Sequence, residues 1–368
     1  MKQSFHLMVR AWWQRLVSPL DLPLLGICGL FLLLAVGVMG SAAPERIGAQ
    51  LISMGIALVI MRLVAGLSPQ RLASLAVPVY LVGIGLLIAV ALFGDISKGA
   101  RRWLNLGFMR TQPSEIMKIA MPLLLAWFFH QRTMRLRLVD FSIAALLLLM
   151  PVWLIMRQPD LGTAVLVLAA GFYVIFFAGL SWKILAGMVL TALAAAPVAW
   201  GFLHDYQRHR ILTLLDPEKD PLGKGFHIIQ STIAIGSGGI FGKGWRAGTQ
   251  AQLEFIPEHH TDFIFAVFAE EFGLVGNVVL LILYGFLIGR GFMIAAQATS
   301  LFGRLLAGSI TMIFFTYAFV NIGMVSGLLP VVGVPLPLVS YGGTSLVTLF
   351  IGIGILMSIH KNRMLIQK

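Results

Sequence analysis

The sequence predicts an all-α, polytopic integral membrane protein of about ten transmembrane helices, and three observations carry that prediction. Hydrophobic residues make up 58% of the 368-residue chain and charged residues only 11%, against roughly 45–50% and about 25% in soluble domains. Apolar runs of about 17–25 residues, long enough to cross a hydrocarbon core, recur along the chain. Lys and Arg gather in the short segments between those runs, mostly on alternate ones, which is the pattern of the positive-inside rule. A water-soluble fold is excluded: its surface would be apolar, whereas a bilayer accepts that surface and demands helices that satisfy their own backbone.

The runs fall near 22–41, 47–66, 75–93, 114–130, 139–156, 161–179, 184–203, 263–289, 305–328 and 340–359. The first ends in Ser41-Ala42-Ala43, a signal-cleavage pattern. It exceeds the roughly 7–15 residues of a signal h-region, however, and Pro44 would follow the cut, so it is read as a span. The connections holding Arg62 and Arg71, then Arg132, Arg135 and Arg137, then Lys183, then Arg290 and Arg304 fall on one side. So do both termini, with Lys2, Arg10, Arg15, Lys361, Arg363 and Lys368, and that side is expected to be the cytoplasm. The whole of 1–368 is read as one membrane domain with a single long extracytoplasmic loop, 204–262, between spans seven and eight.

Two outer segments break the charge rule. The 94–112 loop carries Lys98, Arg101, Arg102 and Arg110, and the 204–262 loop carries Arg208, Arg210, Lys219, Lys224, Lys243 and Arg246. An anionic ligand is the simplest reason for them. The net charge of +12 does not indicate nucleic acid, since no basic helix interleaves with aromatics; topology and anionic membrane lipid account for most of it. Cys28, the only cysteine, lies within the first span, which leaves no disulfide, zinc or thiol chemistry.

Several constellations could carry chemistry. Gly236, Gly238, Gly239, Gly242 and Gly244 mark tight turns, but Ser237 and Gly244 break a Walker A pattern and Phe241 breaks a dinucleotide fingerprint. Pro257-Glu258-His259-His260-Thr261-Asp262 is polar, and the chain turns apolar immediately afterwards. Asp262 is therefore expected to cap a membrane helix at the outer interface; the basic loops facing it raise the alternative of a catalytic carboxylate. Pro113 and Ser114 open span four, with Glu115 in its first turn and Lys118 one turn further in; the pair either serves a ligand or neutralises itself at i,i+3. Asp160 starts span six as a cap or as a partner for an Arg or Lys between Lys98 and Lys118. Glu270 and Glu271 lie deep and are expected to face protein, a wet cavity or a proton path. Phe226 to Ser231 reads as a short amphipathic helix. Pro330 to Ser345 reads as an apolar, proline-stiffened turn in which Ser340, Tyr341 and Thr344 either pack or bind a sugar or diphosphate.

These blocks, in this order along essentially the whole chain, resemble the SEDS (shape, elongation, division and sporulation) family. His204-Asp205-Tyr206-Gln207-Arg208, Leu215-Asp216-Pro217, Pro221-Leu222-Gly223 and His227 to Ser231 are similar to its elongation branch rather than its division branch. The resemblance implies a peptidoglycan glycosyltransferase of the bacterial cytoplasmic (inner) membrane, polymerising lipid II on the extracytoplasmic face with release of undecaprenyl diphosphate and inversion at C1. It implies Asp262 as the essential carboxylate, a general base for the sugar hydroxyl. Arg101, Arg210 and Lys118 are the expected stabilisers of the diphosphate, with Glu115, Asp160, His260 and Ser340 as further substrate-binding candidates. Arg102 is an alternative to Arg101, and His259 is left out. The implied partners are lipid II, the undecaprenyl-diphosphate-linked glycan, a class B penicillin-binding protein transpeptidase and other elongation-complex proteins. No metal box is present; a divalent cation (Mg2+ or Mn2+) is left open as an assistant. The rival readings are a lipid II flippase and a noncatalytic scaffold.

Overall fold

The computed structural model describes residues 20–97, 100–105, 110–132, 136–202, 205–219, 223–253 and 258–366. Lys2, Arg10, Arg15, Lys98, Arg135, His204, Pro221, Leu222, Pro257 and Lys368, used in the reading above, lie outside the described residues.

Every predicted span is a helix. Asp21 caps α1 (Leu22–Ala42) by accepting from Leu24 N at 2.9 Å. A single 3-10 turn leads into α2 (Ile47–Ala65). Ser68 caps α3 (Pro69–Phe93), with Pro69 where its missing N–H costs nothing. Then come α4 (Pro113–His130), α5 (Leu138–Arg157), α6 (Leu161–Phe177) and α7 (Trp182–Phe202). The long loop holds α8 (Asp205–Leu215), α9 (Lys224–Ser237) and the single turn α10 (Thr249–Gln252). The last three spans are α11 (Ile264–Gln297), α12 (Leu301–Val325) and α13 (Gly343–Ile366).

Among the described residues seven helices, α1, α2 with its leading turn, α3, α5, α11, α12 and α13, are long and apolar enough to cross a membrane. The other three spans are α4, α6 and α7. At α4 nearly every face is buried, against α3, α6 and α12, which makes it a central helix of the bundle. A helix sealed off from lipid can carry Glu115 and Lys118, as α4 does.

Two features were not foreseen. The 94–112 loop forms a small antiparallel sheet of β1 (Asp95–Ser97), β2 (Ala100–Asn105) and β3 (Arg110–Thr111), in that order. In addition, α11 extends past the predicted end at 289 and is broken at Gly273, whose φ of 63° and ψ of −159° leave the helical region. The backbone groups freed by the break are satisfied by the glycine-rich segment. Leu274 N donates to Gly239 O at 2.9 Å and Val275 N to Ile240 O at 3.0 Å, while Lys243 N and Gly244 N donate to Glu270 O and Glu271 O, each at 3.0 Å. The glycines are therefore more than turn residues: they form a hairpin, 238–248, spliced into a membrane helix, which is how irregular backbone becomes tolerable at that depth.

Close approach requires them. A Cβ on Gly273 would stand 2.3 Å from Gly242 N, and one on Gly242 2.1 Å from Glu271 O. Gly273→Ala is expected to lower stability by about 1–3 kcal/mol from backbone strain alone, read as a lower unfolding temperature in detergent. An unchanged temperature would mean that the splice contributes nothing.

Candidate active site

Asp262 stands in a turn, 258–263, immediately ahead of α11. It is not the cap predicted: Phe263 occupies that position, and no side chain caps the helix. The polar-to-apolar boundary was located correctly, but the turn places the helix start one residue later. Its side chain is consequently directed elsewhere, with Oδ2 3.2 Å from where a Cβ on Gly333 would be. The backbone of the turn is fixed by Asn321 on α12. This fully buried amide donates to Asp262 O at 2.8 Å and to Val334 O at 2.7 Å, tying the 330–342 segment to the catalytic-candidate turn.

Ser340 makes a second tie. Its hydroxyl donates to Thr261 O and accepts from Leu336 N, both at 2.7 Å, and the residue is buried. Expected to bind substrate, it holds two segments of the site together instead. His260 accepts at its carbonyl from Tyr341 N at 3.0 Å, and its ring stands edge-on to Tyr341 with centroids 6.0 Å apart. Burial, then the charges of Arg46 and His259, push the His260 imidazole below the usual histidine value, so it is neutral at neutral pH. Arg46 lies 5.5 Å from the Tyr341 ring centroid.

Asp160 caps α6, accepting from Thr163 N at 3.2 Å, and also accepts from Gln112 at 2.8 Å. Its partner from the 94–112 loop is Arg102, 4.0 Å away, which also donates to Pro159 O. Arg101, the expected phosphate ligand, is exposed on β2. Arg102 is thus engaged by Asp160 and Pro159, while Arg101 stays exposed. Gly162 brings this corner to the first: a Cβ there would be 2.7 Å from Val332 O and 3.5 Å from Gly333 O, beside Asp262.

Glu115 and Lys118 are both buried. Lys118 donates to Glu115 Oε1 and to the Tyr317 hydroxyl, each at 2.5 Å. Expected to face a diphosphate, the ammonium is instead enclosed by a carboxylate and a phenol, and only 2% of the residue is exposed. Glu115 Oε2 has no partner and borders a cavity of about 520 Å³ between α2, α3, α4 and α13. Ser53, Thr111, Gln112, Glu115, Thr344 and Thr348 are the polar residues of that cavity, and the rest of its lining is Ile, Leu and Val with Gly343. Ile56 and Leu75, 51% and 41% exposed, stand at its mouth. Arg210 is half-buried on α8. Glu270 and Glu271, expected to face protein or water, are buried against the hairpin.

Asn321 and Tyr317 were missed, although they sit one turn apart on α12 and link the two halves of the site. The signal was present: an Asn and a Tyr inside a span are polar groups that need a reason. Among the described residues no three His, Cys, Asp or Glu side chains gather as metal ligands.

Comparison with known proteins agrees with this architecture. The cell cycle protein family named for FtsW, RodA and SpoVE matches residues 15–365. The peptidoglycan glycosyltransferase MrdB of Escherichia coli (strain K12) is 55% identical over 335 residues, 90% of each chain. A chain of a solved peptidoglycan synthase complex superposes with a TM-score of 0.81 at 39% identity, covering 93% of this chain and 98% of that one. The rod shape determining protein RodA of Thermus thermophilus gives a TM-score of 0.71 at 32% identity, covering 93% and 97%. The chain belongs to the FtsW, RodA and SpoVE family, the SEDS proteins, and is a polytopic α-helical membrane protein of the RodA type.

Proposed function

We infer that the protein is a peptidoglycan glycosyltransferase that polymerises lipid II into glycan strands during cell elongation, the activity class carried by its 55% identical relative. The observation that carries the reading to residues is Asp262, a carboxylate relieved of capping duty and held at the mouth of a membrane helix by backbone ties from Asn321 and Ser340.

In the step proposed, the 4-hydroxyl of the incoming N-acetylglucosamine attacks C1 of the N-acetylmuramic acid at the reducing end of the growing chain. The new O–C1 bond forms as the C1–O bond to diphosphate breaks, and the electron pair leaves with undecaprenyl diphosphate. The hydroxyl proton passes to Asp262, since an alkyl hydroxyl is a weak nucleophile without a positioned base. One direct displacement inverts C1 and needs no covalent enzyme intermediate. Arg101 and Arg210 are placed in the role of diphosphate stabilisers, and Lys118 in that of a residue orienting Glu115 and Tyr317. The apolar walls of the 520 Å³ cavity suit a polyprenyl chain, and its polar end, through Gln112 and Asp160, adjoins the catalytic corner. The membrane is the bacterial cytoplasmic (inner) membrane, the site lies on its outer face, and the partner is a class B penicillin-binding protein transpeptidase within the elongation complex. The solved synthase complex, in which polymerization and crosslinking are coordinated, supports that partner class.

The test is polymerisation of labelled lipid II by the purified protein with its transpeptidase partner. Glycan strands are the expected product. No strands, together with movement of labelled lipid II between leaflets of a vesicle, would replace this reading by the flippase.

A divalent cation assisting this reaction is proposed to sit on the diphosphate, which with one or two carboxylates suffices for Mg2+. EDTA is then expected to stop polymerisation and Mg2+ or Mn2+ to restore it, while the dialysed protein without lipid II retains no metal. Retained stoichiometric metal would overturn that assignment.

A further inference from the structure

We propose that the Glu270–Lys243 ion pair is a positioning device: it locks the 238–248 hairpin into the break of α11 and so sets the direction of the half-helix Ile264–Phe272, which carries Asp262 at its head. This rests on the reading of Asp262 as the base.

A continuous helix aims its own end. Once φ at Gly273 leaves the helical region, the turns ahead of it lose that support, and their direction falls to whatever else they are fastened to. The fastening converges on one side chain. Glu270, with no exposed surface, accepts at Oε1 from Lys243 Nζ at 2.7 Å, Thr249 N at 2.9 Å, Thr249 Oγ1 at 3.1 Å and Gln250 N at 3.2 Å. Those donors come from the middle of the hairpin and from the two residues just past its end, so a single carboxylate gathers the loop onto the half-helix. A buried carboxylate needs an ion-pair partner and hydrogen bonds to its remaining lone pairs, and here these donors all come from a segment outside α11.

The hairpin is itself immobilised. Trp245 Nε1 donates to Gly37 O of α1 at 2.9 Å, and Glu271 Oε1 accepts from Arg246 N at 3.2 Å and from the hydroxyl of Ser41 at the end of α1. Behind the hairpin, α9 lies across the head of the half-helix: the His227 and Phe263 rings are 5.6 Å apart, and Ser231 donates to Val325 O at 2.9 Å. Asn321 and Ser340 hold the turn of Asp262 directly, and the half-helix behind it is aimed by α1, the hairpin and α9 rather than by the remainder of α11.

The lever is long. Asp262 lies eleven positions ahead of Gly273, about 16 Å at helical rise. A tilt of about 10° at the break moves the carboxylate by about 3 Å, and a misplacement of about 1 Å already costs on the order of 10²-fold in rate.

The test uses the full-length protein with its transpeptidase partner and the variants Glu270→Gln, Lys243→Met and Lys243→Arg, with Asp262→Asn alongside. Glu270→Gln keeps the shape and removes the charge; Lys243, partly exposed, breaks the same pair from the side that tolerates change. Glu270→Gln and Lys243→Met are expected to lower kcat about tenfold or more, with the KM for lipid II within about twofold, and Lys243→Arg to recover most of the loss. Amide hydrogen exchange should rise over 264–272 and stay unchanged over 276–297. Unchanged kcat despite faster exchange overturns the proposal. So does a fall in kcat accompanied by faster exchange throughout α11 and α12 and a lower unfolding temperature, which marks a merely structural pair. An active Asp262→Asn removes the base reading and this proposal together, whereas an inactive one beside a fully active Glu270→Gln overturns the positioning role alone.

Discussion

Asp262→Asn is expected to reduce lipid II polymerisation by about 10²–10⁴-fold, the range supplied by a positioned general base. The change is nearly isosteric and removes only the charge and the ability to take a proton. The ties that shape the turn run through backbone atoms, from Asn321 to Asp262 O and from Ser340 to Thr261 O, and do not depend on the carboxylate. Folding and lipid II binding should therefore survive, which an unchanged unfolding temperature and an unchanged affinity for labelled lipid II would verify. The loss should appear in kcat. Equal polymerisation by the mutant and the wild type would dismiss Asp262 as the base, and a loss confined to KM would make it a binding residue.

Lys118→Met is expected to destabilise the protein by about 3–5 kcal/mol, the cost of leaving one member of a buried ion pair without its partner. The side chains of Lys118 and Glu115 are 3% and 10% exposed, so solvent cannot compensate the stranded carboxylate. Glu115→Gln combined with Lys118→Met should recover part of the loss, and the difference between the double variant and the sum of the singles measures the pair directly. Unfolding by heat or denaturant in detergent micelles reads it. Additive losses would show that Lys118 stabilises through Tyr317 alone. Activity should suffer as well, because Tyr317 and Asn321 share a face of α12 and a shift of that helix moves the turn bearing Asp262.

The ten spans were legible because run length and charge placement are direct consequences of bilayer thickness and membrane orientation. Asp160 as the cap of α6 and Pro113 at the head of α4 were legible for the same local reasons that make them good helix starters. The misreading of Asp262 shows the limit of such signals. An Asp at a polar-to-apolar boundary looks the same whether its side chain turns back onto the helix or away from it; only the 330–342 segment packed against it distinguishes the two.

The break at Gly273 was hidden for a different reason. A lone glycine in an apolar run is compatible with an unbroken helix, and the groups that satisfy the break lie about 30 residues earlier, in a stretch that reads as loop. Glu270 and Glu271 were recognised as deep carboxylates in need of partners, but the partners are backbone amides and a lysine delivered by that stretch. The strands of the 94–112 loop are two to six residues long, too short for an alternating pattern to emerge. Asn321 and Tyr317 could have been found by applying to α12 the question asked of α4.

The mouth of the 520 Å³ cavity at Ile56 and Leu75 gives on to the lipid-facing side of the helices, not to water. A substrate entering there is drawn from a plane, so occupancy depends on its mole fraction among lipids and not on how much of it a volume of buffer contains. Dilution of vesicles at fixed lipid composition should leave turnover unchanged, and dilution with inert phospholipid should slow it. The cell can then govern strand synthesis by how densely precursor crowds the leaflet around each enzyme.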